Sequence, residues 1–313
     1  MAKFIRNIIV CICIISILLV GFVGIGQLVP YQGSRSYYVE MRKKYDRFMS
    51  RKEPGIILVG GSNVAFGFDT KEIERQMNMP AINLGLHAGL KRDFYLNMCR
   101  QNINPGDIFI LAFEYSAYNE DLMTENITWY TVDNNIDLMK LIPMSNMFNL
   151  LRYYPIYLLK KTQECILSPN PLPDREAYQS KSFDEYGDNI FERYENIHTK
   201  EEIEETKYIQ IKKDIISDES VKAFKEFREY CESKGAKVYA TCPSVDEYAL
   251  VSIENNGKDF KKYYEEKTGI KMISEPSDYV LNTKYFYDTD YHLNLNGVKV
   301  RTNMFIEDLK AVF

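Results

Sequence analysis

The stretch PGIILVGGSNVAFGFD, from Pro54 to Asp69, decides how the chain is read. Four aliphatic residues in a row, bounded by Gly55 and by Gly60-Gly61, read as a short strand buried on both faces. A serine comes next and then a helical pattern, so Ser62 falls on a tight strand-to-helix turn. A hydroxyl there is lifted off the carboxyl end of the sheet, and flanking glycines let backbone approach closely. The expectation is an exposed nucleophile. A plain turn, or a phosphate loop, uses the same residues; the phosphate loop needs a downstream Gly-Lys-Ser/Thr, and the chain has AFGFDTKE instead.

Working outward, aliphatic runs recur as GIILVG (55–60), AINLG (81–85), DIFILAFEY (107–115), AKVYATCP (236–243) and IKMIS (270–274). Helical patterns lie between them, the clearest being Thr70 to Asn78, Leu90 to Asn102, Asp218 to Lys234 and Asn294 to Leu309. In the third, Val221, Phe224, Phe227, Tyr230 and Cys231 recur at three- and four-residue steps. Repeated strand and helix imply right-handed crossovers and a sheet covered on both faces. The fold class expected is therefore α/β, a three-layer sandwich around five parallel strands.

Two regions stand outside this rhythm. Residues 1–29 hold the charge-free segment from Ile8 to Gly26, which at 1.5 Å per residue is long enough to cross about 30 Å of hydrocarbon. It ends in GFVGIGQLVP, with no Ala-x-Ala-like cleavage site, so an uncleaved transmembrane anchor is favoured over a signal peptide. Lys3 and Arg6 precede the span while Arg35, Arg42, Lys43 and Lys44 follow it. The short N-terminal flank still favours an inside N-terminus and an exported bulk, in a single pass of the plasma membrane. Gly21, Gly24 and Gly26 offer close-packing positions. Residues 30–53 read as a juxtamembrane linker helix, and 54–313 as the main domain.

The second region is an insertion at about 116–217, holding aromatics (NITWYTVDNN, NLLRYYPIYLL), a proline cluster (SPNPLPD) and an acidic tract (TKEEIEET). Ligand sites in open α/β sheets lie beyond the carboxyl ends of the strands, so an insertion leaving the third strand is placed to wall such a site. Asn126 in NIT matches a glycosylation sequon.

Composition excludes several classes. With 313 residues, 45% hydrophobic, 27% charged and a net charge of −5, the chain has ordinary globular content and no basic balance suited to nucleic acid. Its 6 cysteines lack CxxC spacing, and no cluster of metal ligands is legible. No cofactor is suggested.

The far end supplies partners for Ser62. YFYDTDYHLNLNGVKVRT contains His292, one of 3 histidines, flanked by Asp288 and Asp290. A serine needs a base, and the imidazole needs an acceptor on its other nitrogen. Of the other histidines, His87 in NLGLHAG lies near a strand end, and His198 is expected on the solvated surface.

The order of these blocks resembles the SGNH/GDSL hydrolase superfamily over about 55–313: serine after the first strand, glycine after the second in NLGLHAG, and an Asp/His loop before the last helix. With its apolar N-terminus, the chain is most similar to the membrane-anchored members that work beside membrane-bound O-acyltransferases, among them the D-alanine-transfer protein of lipoteichoic acid synthesis and alginate-type O-acetyltransferases.

The resemblance implies Ser62 as nucleophile, His292 as general base and Asp288 as orienting carboxylate, with Asp290 the alternative acid. The superfamily often places that aspartate three residues before the histidine, where this chain has Thr289. Where the superfamily's third block carries an oxyanion-binding asparagine, this chain has LAFEYSAY with Glu114. The hole is then expected on backbone N–H groups at Ser62 to Asn63 and at Gly85, and Glu114 is expected to bind an acceptor hydroxyl or fix the loop.

The resemblance implies an esterase or acyltransferase acting on O-acyl groups, most simply O-acetyl, of an extracellular polysaccharide or teichoic-acid-like polymer. The alternatives are a catalytically weak accessory protein that docks on a membrane-bound O-acyltransferase and guides its substrate, and a cytoplasmic lipid esterase.

Overall fold

The strand that opens the sheet comes from the quoted stretch. In the computed structural model, which describes residues 1–29, 37–119, 122–133, 135–167, 176–198 and 208–313, β1 is Ile56–Val59, β2 Ala81–Asn83, β3 Ile108–Leu111, β4 Lys237–Ala240 and β5 Lys271–Met272. All five pair in parallel, in the order β2-β1-β3-β4-β5. The chain is an α/β protein with a five-stranded parallel sheet, each strand falling inside one of the five aliphatic runs.

In chain order the helices are α1 (Ala2–Leu28), α2 (Glu40–Ser50), α3 (Ser62–Ala65), α4 (Thr70–Met77), α5 (Lys91–Cys99), α6 (Glu125–Val132), α7 (Met144–Leu167), α8 (Asp218–Ser233), α9 (Lys258–Thr268) and α10 (Leu295–Lys310). Their ends are marked as the sequence leads one to expect. Asp69 accepts from the N–H of Glu72 at 2.9 Å, Ser217 from that of Ser220 at 3.2 Å, and Asn294 from those of Asn296 and Gly297 at 3.1 and 3.0 Å.

Alternate residues of one strand serve opposite faces, as the two-residue period of a strand requires. Ile56 and Leu58 pack with Ile73 of α4 and with Phe305, Ile306 and Leu309 of α10. Ile57 and Val59 join Phe94, Leu96, Phe224 and Phe227, from α5 and α8, on the other face. Both faces are thus covered by helices, and each buried Ile, Leu or Phe contributes about 1.5–3 kcal/mol of transfer energy.

One helix begins later than its pattern. Residues 88–90 form a 3-10 turn, and α5 starts at Lys91, whose φ of +62° breaks the run expected from Leu90.

The segment before the domain departs further from expectation. Residues 30–36 lie outside the described residues, but α2 is no free connector: Met41, Tyr45 and Phe48 form a buried stripe, and Lys44 is buried with its ammonium donating to the carbonyls of Asn83 and Gly187. Three- and four-residue spacing of large apolar groups makes this an ordinary core-facing helix. The charged and polar residues around the stripe mask it in the sequence.

α1 is long and apolar enough to cross a membrane, from Ala2 to Gly24. Its far end meets the domain: Phe22 and Val23 pack against the main core, and a side chain at Gly26 would stand 2.8 Å from Leu158 Cδ2. Gly21 and Gly24 have open space around them.

The insertion is mostly helical where it is described, with α6 and α7 packed on each other through Trp129, whose indole ring lies 5.7 Å from that of Tyr157. The proline cluster 168–174 and the acidic tract 199–206 lie outside the described residues. The sequon hydroxyl, Thr128 Oγ1, is taken up by the carbonyl of Thr124 at 2.9 Å.

Candidate active site

Gly60 and Gly61 are explained by backbone rather than by substrate. A Cβ at Gly60 would sit 2.5 Å from the carbonyl oxygen of Ala112 at the end of β3, and one at Gly61 would sit 3.0 Å from Ala88 Cα. Neighbouring segments crowd the β1 turn so closely that only glycine fits. The turn then delivers Ser62 as the first residue of α3, where it is buried, at 9% exposure, not standing free as the sequence suggested.

The burial has a specific cause. Among the described residues, the hydrogen bond of Ser62 Oγ goes to Glu114 Oε1, at 3.4 Å, and not to His292. The backbone N–H of Asn63 also donates to Glu114. Its side-chain amide donates to Ala112 O at 2.7 Å, and the N–H of Gly85 donates to Asn83 Oδ1 at 2.9 Å. Of the expected oxyanion donors, the N–H groups of Asn63 and Gly85 are therefore engaged. At Asn63 the physical reason is Glu114, whose carboxyl oxygens accept from the backbone N–H as well as from the Ser62 hydroxyl.

Glu114 is buried. Burial raises its carboxyl pKa above the ordinary range, while His292, the Asn63 N–H, Ser62 and Lys91 pull it partly back. Beside it lies a cavity of about 10 Å³, bordered by Gly61, Ala88, Lys91, Tyr95 and Glu114, space for about one water molecule.

The histidine side is built differently. His292 Nδ1 meets Asp288 Oδ1 at 2.9 Å, which makes Nδ1 the protonated nitrogen and leaves Nε2 as the basic one. The four-residue spacing works because the chain turns back at Thr289, whose hydroxyl accepts from the N–H of His292 at 3.1 Å, while Phe286 and Leu293 bridge as an antiparallel pair. Asn294 closes the loop by donating to the carbonyls of Lys284 and Phe286 at 2.7 and 3.1 Å while capping α10.

The imidazole lies flat on Phe66, with ring centres 4.3 Å apart and planes 9° from parallel. The Arg193 guanidinium also lies over Phe66, 4.8 Å from its centre. Burial lowers the Arg193 pKa to about 10, and the nearby Asp288 opposes that shift.

Asp290, the alternative acid, is not on the imidazole. It accepts from the Tyr208 hydroxyl and faces His198 and His292 at longer range, with burial raising its pKa. His198 is accordingly half-buried beside Asp290 rather than solvated. His87 lies nearer the centre: its Nδ1 accepts from the N–H of Gly89 at 2.9 Å. Burial, then His292 and Lys91, push its pKa down to about 4.

One site residue has no counterpart in the sequence reading. Tyr178, from the insertion, donates to Asp288 Oδ2 at 2.8 Å and lies 3.0 Å from His292 Nδ1. A tyrosine in a sequence containing 24 of them carries no distinguishing signal. Only the fold brings it over a separation of 110 residues to the acid.

Compared with known proteins, the chain matches no family model and no curated protein sequence.

Proposed function

We propose that the chain is a membrane-anchored serine esterase or acyltransferase of SGNH type, acting through an acyl-serine intermediate on O-acyl groups, most simply O-acetyl, of an extracellular polysaccharide or teichoic-acid-like polymer. The observation that carries the reading is the Asp288–His292 pair, 2.9 Å apart, on the loop that feeds the last helix; Glu114, which bonds Ser62, also feels the charge of His292. The helix-covered parallel sheet and the apolar α1 support it.

In this reading Ser62 Oγ bonds to the acyl carbon while its proton passes to His292 Nε2. Collapse of the tetrahedral species expels the donor alcohol, which takes that proton. A polymer hydroxyl, or water, then attacks the acyl-serine and gives its proton to His292, which returns it to Ser62 Oγ as the acyl–oxygen bond breaks and the free serine is released. Asp288 holds the imidazole tautomer and stabilises the imidazolium. Glu114 serves the developing oxyanion in its protonated form, because a neutral carboxyl donates where a carboxylate cannot. Its burial favours that form. Walls from residues 116–217 would favour a sugar hydroxyl over water as acceptor.

A second reading rests on the same carboxyl. With Glu114 engaging Ser62 and the Asn63 N–H, the chain would be a catalytically weak accessory that docks on a membrane-bound O-acyltransferase and guides its substrate. Incubation with p-nitrophenyl acetate and subsequent peptide mass mapping separate the two. One acetyl group on the peptide containing Ser62, turned over on addition of an oligosaccharide acceptor, supports the enzyme. A folded protein that never gains the acetyl group supports the accessory.

A further inference from the structure

We infer that the exposed apolar stripe of α7 lies along the surface of the bilayer that α1 crosses, buried at the boundary between headgroups and acyl chains. The inference rests on the reading of α1 as a membrane span. It does not depend on the chemistry of Ser62.

Met144, Phe148, Leu151, Leu159 and Ile166 are each between 57% and 82% exposed. Their spacing places all five on one face of α7. The opposite face, with Leu150, Tyr157 and Lys161, is buried in the domain, where Lys161 pairs with Asp133 at 2.8 Å. Arg152 is exposed at the edge of the stripe, and Lys160 is exposed about a quarter-turn further round, donating to the Tyr153 hydroxyl. An apolar face with basic residues along its edge is the pattern of a helix lying in an interface, where long cations reach back to headgroups.

The depth of α7 is set by α1. Phe22, Val23 and Gly26 form the last turns of the apolar run, and they are the part of α1 that meets the domain, Gly26 against Leu158. With about 30 Å of hydrocarbon to cross at 1.5 Å per residue, those turns sit at the edge of the acyl region. The turn of α7 around Leu158 is held at the same level.

Leu151 and Leu158 lie two turns apart on nearly one line of α7. α1 covers Leu158 and leaves Leu151 open. The uncovered stripe therefore continues the surface that the span itself occupies, and lipid is the medium present there. Embedding of such a face by about 5–10 Å would also fix the height of the catalytic edge above the membrane.

Tryptophan quenching in the full chain tests this. Single variants Ile12→Trp, Phe148→Trp, Leu151→Trp and Lys225→Trp are reconstituted in phosphatidylcholine nanodiscs whose lipids carry bromine either deep or near the headgroup, with native Trp129 as a common background. The expected result is loss of most of the added emission at residue 12 with deep bromine and at residues 148 and 151 with shallow bromine, and no loss at residue 225.

If residue 12 is quenched while 148 and 151 behave like 225, the span stands and the inference about α7 falls. If residue 12 is not quenched by either lipid, the span reading falls and takes the inference with it. If 148 and 151 escape quenching and shift to the blue only in discs holding two chains, a second copy covers the stripe and the lipid assignment is overturned.

Discussion

His292 and Ser62 reach the carboxyl edge of the sheet by different routes, and what holds them differs accordingly. His292 lies on a loop pinned by Thr289, Asn294 and the Phe286–Leu293 bridge; its ring is stacked on Phe66 and its Nδ1 is bonded to Asp288. Ser62 comes after two glycines forced by crowding, and its hydroxyl has one long bond, to an acidic side chain. On the proposed function, the base is preorganised and the nucleophile is held back. Preorganised polar groups cost no rearrangement during reaction, so the proposed mechanism predicts that Glu114, rather than His292, limits acylation.

The sharpest way to break that comparison is to disturb the preorganised side. Asp288→Asn should lower acylation by on the order of 10⁴-fold, because the amide favours the wrong imidazole tautomer. Asp290→Asn, which does not touch the imidazole, should change acylation by less than about tenfold. Equal losses in both, measured as acyl-enzyme formation rates, would contradict the assignment of the acid.

Next in size is the restrained side. Glu114→Gln keeps the shape and provides a permanent donor, worth on the order of 10² in rate where one oxyanion donor is at stake. The gain over the native protein should widen as pH rises, since higher pH converts the native carboxyl from donor to acceptor. A ratio independent of pH would remove Glu114 from the oxyanion role.

A smaller effect tests whether the insertion belongs to the base. A hydrogen bond to a charged group is worth about 1.5–3 kcal/mol, so Tyr178→Phe should reduce kcat by about tenfold or somewhat more while leaving KM unchanged. A change in KM alone would make Tyr178 a substrate contact instead.

The least effect on chemistry is expected at His87. Folded His87 takes up a proton only near pH 4, whereas an unfolded histidine does so near 6.5. The unfolded state thus binds more protons between those values, and stability present above pH 6.5 is lost as pH falls, by roughly 3 kcal/mol at the acid end. His87→Gln, whose amide oxygen accepts from the Gly89 N–H, should flatten denaturant midpoints between pH 7 and pH 4.5. An unchanged acid dependence would assign it to other groups.

The same contrast governs what could be read from sequence. The five strands were legible because each is a short aliphatic run with glycine, proline or polar residues at its ends, and strands buried on both faces need no other pattern. Ser62 and the Asp/His loop were legible because turn chemistry and rare residue types mark them. The choice between Asp288 and Asp290 was not, since it depends on how Thr289 folds the loop back. Tyr178 was hidden for another reason, since a contact made across 110 residues leaves no local periodicity to read, and the apolar stripe of α2 was masked by the charged residues around it. The engagement of Glu114 with Ser62 needed both strand ends in register.

The central claim is an activated serine at residue 62, and labelling of the full chain by a fluorophosphonate, read by intact mass, tests it most directly. The account predicts one label per chain in the native protein and none in Ser62→Ala or His292→Ala. A folded native protein that takes no label, or a label that persists in Ser62→Ala, would contradict it.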